Sequence, residues 1–154
     1  MTAAAGFIIF RRIGQTPIEY LLLQTSYGEH HWTPPKGKKI ISELIEGFRL
    51  GHLDNDETPM QAAQRETQEE AGLVKEDLEY YDKFEAKTTY NVKGKPKDVY
   101  YYLARLRNSQ KEIKLSNEHQ DIKWSNLEGA CKLAKYQNMQ DILRKAEEFL
   151  QNHQ

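Results

Sequence analysis

A mixed α/β fold is predicted by three features of this sequence: short apolar runs of strand length at its start, Tyr-rich runs in its middle, and an amphipathic helical segment at its end. Residues 6–10 and 18–24 are apolar and are separated by a break at Gly14 and Pro17, which reads as a hairpin. Residues 78–90 and 98–106 are rich in Tyr, Phe, Val and Thr. They join through Asn91-Val92-Lys93-Gly94-Lys95-Pro96-Lys97, so a second hairpin with a cationic tip is expected. Residues 122–124 read as another short strand. Met139, Ile142, Leu143, Ala146, Phe149 and Leu150 recur at helical spacing among charged residues, so a terminal helix should pack one face on the core. The sheet is expected to be largely antiparallel or mixed.

A length of 154 residues fits one domain spanning 1–154, and neither a repeat nor a linker divides it. The formal net charge of -1 argues against a chain whose whole field attracts nucleic acid or an acidic membrane. Any anion must be met locally. Cys131 is the only cysteine, so an intrachain disulfide is impossible. No stretch approaches the roughly 20 apolar residues of a membrane span. A cytoplasmic, unsecreted monomer is expected.

The chemistry concentrates in one helix. Thr58 suits an N-cap, Pro59 the first helical position and Gln61 the return bond of a capping box, so a helix is predicted from about Pro59 to Ala71, with Gly72 as its stop. At about 100° per residue, Met60, Ala63, Thr67 and Ala71 share one stripe, and Gln61, Gln64 and Gln68 the solvent side. Glu66, Glu69 and Glu70 form a third face. Carboxylates three and four residues apart repel, and these sit near the negative end of the helix dipole. A hard divalent cation reverses that balance, and an oxygen-only cluster suits Mg2+, with Mn2+ as a substitute.

Reading outward, the chain shows Gly51, five residues, Glu57, seven residues, Arg65-Glu66-Thr67, one residue, Glu69-Glu70, one residue, then Gly72-Leu73. This pattern resembles the Nudix box at each fixed polar and glycine position. Thr67 departs from it, because the family usually has a bulky aliphatic residue there. The resemblance implies a Nudix fold, a mixed β-sheet sandwiched between helices, and in-line attack of water on a diphosphate bond with metal assistance. By the same likeness Glu66, Glu69 and Glu70 are metal ligands and Arg65 orients a carboxylate, for which Glu57 is the candidate. The catalytic set is therefore Glu57, Arg65, Glu66 and Glu70, and the sequence does not decide which carboxylate is the base.

Three further segments are His30-His31-Trp32-Thr33-Pro34-Pro35-Lys36-Gly37, Lys95-Pro96-Lys97, and Leu115-Ser116-Asn117-Glu118-His119-Gln120 with Trp124 behind it. They are similar to segments of the animal asymmetrical diadenosine tetraphosphate hydrolases, which release ATP and AMP. The likeness implies a small dinucleoside polyphosphate as substrate, with neither nucleic acid nor membrane as partner. Four linked phosphates need concentrated cations, and Lys36, Lys95 and Lys97 are the candidates. Tyr90 and Tyr136 match adenine-stacking aromatics, Glu118 matches a carboxylate outside the box that completes the metal site, and His31 is a candidate phosphate contact.

In that family the glycine of Pro-Pro-Lys-Gly is normally also the first glycine of the box, whereas here residues 38–50 intervene. Ile40, Ile41, Leu44, Ile45 and Phe48 are spaced as in a short amphipathic helix that docks on the domain, binds a partner or lies loose. A translated unspliced intron is another origin. Because the insert interrupts the loop between Lys36 and the box, its removal is expected to raise turnover. Two other functions compete with tetraphosphate hydrolysis. One is another Nudix phosphohydrolase, such as an RNA 5'-end pyrophosphohydrolase; the other is a nucleotide-binding module inactivated by the insert.

Overall fold

The computed structural model describes residues 2–26, 28–35, 58–92 and 94–153, except the side chains of residues 2, 3, 90–92, 95 and 97. The insert at 38–50, Lys36 and Glu57 lie outside the described residues.

Among the described residues seven strands form one mixed sheet: β1 (Thr2–Arg11), β2 (Glu19–Thr25), β3 (Trp32–Thr33), β4 (Leu78–Tyr80), β5 (Ala86–Val92), β6 (Lys95–Leu106) and β7 (His119–Ser125). Among the described residues three α-helices flank it: α1 (Pro59–Ala71), α2 (Leu127–Ala134) and α3 (Gln137–Asn152). β1 and β6 run parallel from Thr2 opposite Lys97 to Phe10 opposite Arg105. Their central stretches are covered on two faces, which is why residues 4–10 and 99–104 include no charged residue. Alternate residues divide between two cores. Ile8, Phe10, Leu22, Tyr101 and Leu103 pack with α2 and α3, while Phe7, Ile9, Leu23, Tyr102 and Leu106 pack with α1. The sheet is thus sandwiched between helices, as expected. No helix among the described residues is long and apolar enough to cross a membrane.

The first hairpin is real but short, since β1 and β2 pair only at Phe10 with Tyr20 and Arg11 with Glu19. Beyond that point they diverge, and the Phe7 N–H donates to the Pro35 carbonyl at 3.1 Å. The chain entering segment 36–57 is thereby fixed against β1. The second hairpin departs from expectation in two ways. Residues 78–90 are two strands, because a turn at residues 81–85 interrupts them: Tyr80 faces Ala104 and Ala86 faces Tyr101 on the same partner, β6. The tip is also tighter than the seven residues foreseen. Asn91, Val92, Lys95, Pro96 and Lys97 continue the ladder, and Gly94 at the tip has φ 80°. β7 extends the predicted 122–124 strand at both ends, and α3 begins two residues before Met139. α2 was not foreseen.

α1 has the predicted bounds. Thr58 Oγ1 accepts from the Gln61 N–H at 3.1 Å, and the Thr58 N–H donates to Gln61 Oε1 at 2.9 Å. Ala62, Ala63, Thr67 and Ala71 are buried, so small side chains let the helix lie close on β1. Thr67 is completely buried, and among the described residues its Oγ1 has no hydrogen-bond partner. An unsatisfied buried hydroxyl costs about 1–3 kcal/mol, whereas an isosteric methyl does not. Thr67→Val is therefore expected to stabilise the protein by about 1 kcal/mol, or about 2–4 °C in a domain of this size. Thermal unfolding followed by circular dichroism checks this, and an unchanged or lower Tm would remove the assigned penalty.

Candidate active site

The C-terminal half of α1 is held in place by its cap. Gly72 adopts φ 71°, and its N–H donates to the Gln68 carbonyl at 3.0 Å. A Cβ added there would stand 2.8 Å from Lys114 Cβ, so glycine is required by both conformation and close approach. Lys114 also donates its backbone N–H to the Ala71 carbonyl at 2.9 Å, which docks the loop between β6 and β7 on the helix end. That loop carries Glu118.

The glutamates share a face but not an environment. Glu66 and Glu70 are buried, whereas Glu69 is exposed. Burial pushes the Glu66 carboxyl above its ordinary value even though Arg65 pulls it down, and the charges of Glu69 and Glu118 push it further up. Glu118 is therefore close enough to act on the helix face, although 48 positions separate it from Glu70. Arg65 Nη1 donates to Glu66 Oε1 at 2.9 Å and stands 3.4 Å from Glu69 Oε1. Its expected partner Glu57 lies outside the described residues. Among the described residues no three His, Cys, Asp or Glu groups are gathered tightly enough to form a metal site as they stand. In kind, however, the four carboxylates fit a hard divalent cation: they are oxygen donors only, crowded, and partly desolvated.

Glu70 forms part of the wall of a cleft of about 520 Å³. Trp32, Tyr101, Ala134 and Met139 give this cleft its apolar lining, and His31, His119 and Tyr136 border it. The His31 and Tyr136 rings meet edge to face with centroids 5.4 Å apart, and Tyr136 Oη lies 3.5 Å from His31 Nδ1. His31, read from sequence as a phosphate contact, thus stands beside the aromatic residue expected to stack a base. Two backbone features set this pair. The Thr25 N–H donates to the His31 carbonyl at 2.8 Å past a left-handed His30 at φ 57°. Across the cleft, Lys135 is left-handed at φ 73° between α2 and α3, and the Tyr136 N–H donates to the Ala134 carbonyl at 2.7 Å. Tyr90, Lys95 and Lys97 are placed by backbone alone: Tyr90 pairs with Lys97, two residues beyond Thr88, which also lines the cleft.

Trp32, Tyr101 and Met139 were not singled out as cleft residues, and neither was Ala134. A signal for the last existed. Asn126 Oδ1 accepts from the Gly129 N–H at 2.9 Å, and Leu127, Ala130, Cys131 and Ala134 follow at helical spacing, a cap and stripe readable in the sequence as α2.

The environment of Glu66 has a consequence for stability. A carboxyl raised in the folded state favours folding below its unfolded value, and that contribution is lost as pH rises through the folded one. At neutral pH and without metal, Glu66→Gln is therefore expected to be at least as stable as the parent, with the difference shrinking toward pH 5. Urea unfolding in EDTA at both pH values measures it. A variant distinctly less stable at neutral pH would mean that the Arg65 pairing outweighs desolvation.

A family model described as the NUDIX domain matches residues 1–146. The asymmetrical bis(5'-nucleosyl)-tetraphosphatase of Caenorhabditis elegans is 46% identical over 147 residues, covering 96% of this chain and 95% of that protein. Its counterpart from Sus scrofa is 41% identical over 152 residues, covering 96% and 94%. The crystal structure of a C. elegans Ap4A hydrolase binary complex superposes with a TM-score of 0.84 at 44% identity, covering 99% of each chain. With the domain match spanning most of its length and relatives above 40% identity over nearly all of it, the chain belongs to the Nudix hydrolase family.

Proposed function

We propose that this Nudix hydrolase splits diadenosine tetraphosphate into ATP and AMP, using Mg2+ held by Glu66, Glu69, Glu70 and Glu118. The observation that carries the reading is the cleft itself, in which the buried carboxylate Glu70 and the aromatic pocket of Trp32 and Tyr136 open on the same space. A substrate with a base at one end and a polyphosphate beyond it needs both. The tetraphosphatases that match this chain over nearly their whole length support the same substrate class. They also favour it over an RNA 5'-end substrate or a binding module without turnover.

Nudix hydrolases generally need a divalent cation, and the assignment of Mg2+ rests on the oxygen-only donor set. Bound there, the ion supplies charge neutralisation on the phosphoryl oxygens and a lower pKa for the attacking water. The residues of the chain do the rest. Tyr136 and Trp32 take the adenine, and His31 orients Tyr136 at the cleft mouth. Lys36, Lys95 and Lys97 meet the phosphate chain. Arg65 restrains Glu66 and Glu69, so that the carboxylates present a fixed array, and Glu57 completes the catalytic set. Water adds across one phosphoanhydride bond, whose cleavage yields the nucleoside triphosphate and monophosphate. Residues 38–50 are proposed as an insertion within one domain, on the stretch between the phosphate-binding Lys36 and the box.

Chromatography of the products with Mg2+ is expected to give ATP and AMP in equal amounts. Glu70→Gln is expected to lower kcat by about a hundredfold or more, the rate equivalent of about 3 kcal/mol of lost charge stabilisation. Two molecules of ADP as product, or a Glu70→Gln enzyme with parental turnover at saturating Mg2+, would overturn the reading.

A further inference from the structure

Glu118 sits on a turn, and a turn can place a carboxylate accurately only if something holds its backbone. The β2–β7 ladder pairs Gln24 with Asp121 and Thr25 with His119, so Gln120 is an extra residue on β7. This bulge ends the regular ladder and redirects the strand ends. Gln120 Nε2 donates to Gln24 Oε1 at 3.0 Å, fixing the bulge. One residue further, the Ser26 N–H donates to the Glu118 carbonyl at 2.9 Å, and Ser26 Oγ donates to the Asn117 carbonyl at 2.8 Å. Two successive carbonyls of the turn are thus held by one residue. The turn is closed from its own side as well, by the Glu118 N–H to Ser116 Oγ at 3.3 Å and the His119 N–H to the Ser116 carbonyl at 3.2 Å.

The place of this clamp matters. Thr25, the residue before Ser26, and His119, the residue after Glu118, both line the cleft that contains Glu70. We propose that Ser26 is a positioning residue that holds the Glu118 turn against the end of β2 and so sets where the fourth carboxylate meets the α1 face. The proposal rests on the reading of Glu66, Glu69, Glu70 and Glu118 as cation ligands. Outer partners that orient a ligand commonly change metal affinity by about 10–100-fold when removed. A merely structural serine would act otherwise. Ser26 and Asn117 are exposed, so a freed carbonyl there can be rehydrated, and a structural role would appear as a small change in Tm with unaltered metal binding.

The test is Mn2+ binding to the whole protein without substrate, read by electron paramagnetic resonance as a Kd. Ser26→Ala is expected to weaken binding by about tenfold, and Ser26→Thr, which keeps the hydroxyl, to restore it. In a Glu118→Gln background, where the carboxylate is already gone, Ser26→Ala should change the Kd by less than about twofold. A parental Kd for Ser26→Ala, an equal loss in both backgrounds, or parental binding by Glu118→Gln would each overturn the proposal. Ser26→Cys, which keeps the volume with a weak donor, should fall between serine and alanine and provides the same comparison if the alanine variant fails to fold. Product analysis separates the two levels. A chain that binds Mn2+ with this coupling but does not split diadenosine tetraphosphate would sink the substrate reading and leave the Ser26 role intact.

Discussion

The constraint on which the rest depends is the gathering of negative charge on the C-terminal half of α1. Glu66 and Glu70 are buried, Glu69 lies one turn beyond Glu66, and the helix dipole adds its own negative end beneath them. No basic residue sits in the last turn to offset it. Left alone, this is an expensive way to end a helix. Arg65 relieves part of the cost by pairing with Glu66 and Glu69, yet burial still holds the Glu66 carboxyl above its ordinary value. Folding tolerates this crowding because the helix is secured at both ends by features that carry no charge: a Thr58–Gln61 capping box and the Gly72 cap wedged against Lys114.

The sheet turns that charged face into a site. Parallel pairing of β1 with β6 makes a central platform covered on both sides, so α1 and the α2–α3 pair lie on opposite faces. The cleft touches both layers, with Glu70 from α1 and Ala134 and Met139 from α2 and α3, and its wall also takes in β3 and the ends of β2 and β7. The bulge at Gln120 adjoins His119 of that wall. Among the described residues the two non-glycine positions with positive φ, His30 and Lys135, each stand next to a residue that lines the cleft, His31 and Tyr136.

What could be read from the sequence follows from how local each signal is. α1 was legible to the residue because its cap, its stop and its apolar stripe all lie within 15 positions, 58–72. The divided strand at residues 78–90 was not, because the turn at 81–85 contains Tyr81 and Phe84, whose rings serve the core beneath α3 and look like strand residues in isolation. The candidate site shows the same contrast. Glu66, Glu69 and Glu70 declare themselves by helical spacing, whereas Glu118 needed a likeness to a known family, since only the docking of its loop on Gly72 and Ser26 brings it near them. Tyr101 and Met139 were hidden for a different reason: cleft-lining apolar residues are indistinguishable from core until the cavity beside them is seen.

The central claim is that the α1 face and Glu118 form a cation site whose repulsion is relieved by the ion. Thermal unfolding of the unsubstituted protein across a Mn2+ titration tests it most directly, because an ion that binds the folded state alone stabilises it by about 2.7 kcal/mol at a hundredfold excess over its Kd. A saturable rise in Tm of several degrees, absent when Glu66 is replaced by Gln, is the result expected. A Tm indifferent to Mn2+, or an equal rise without the Glu66 carboxylate, would contradict the account.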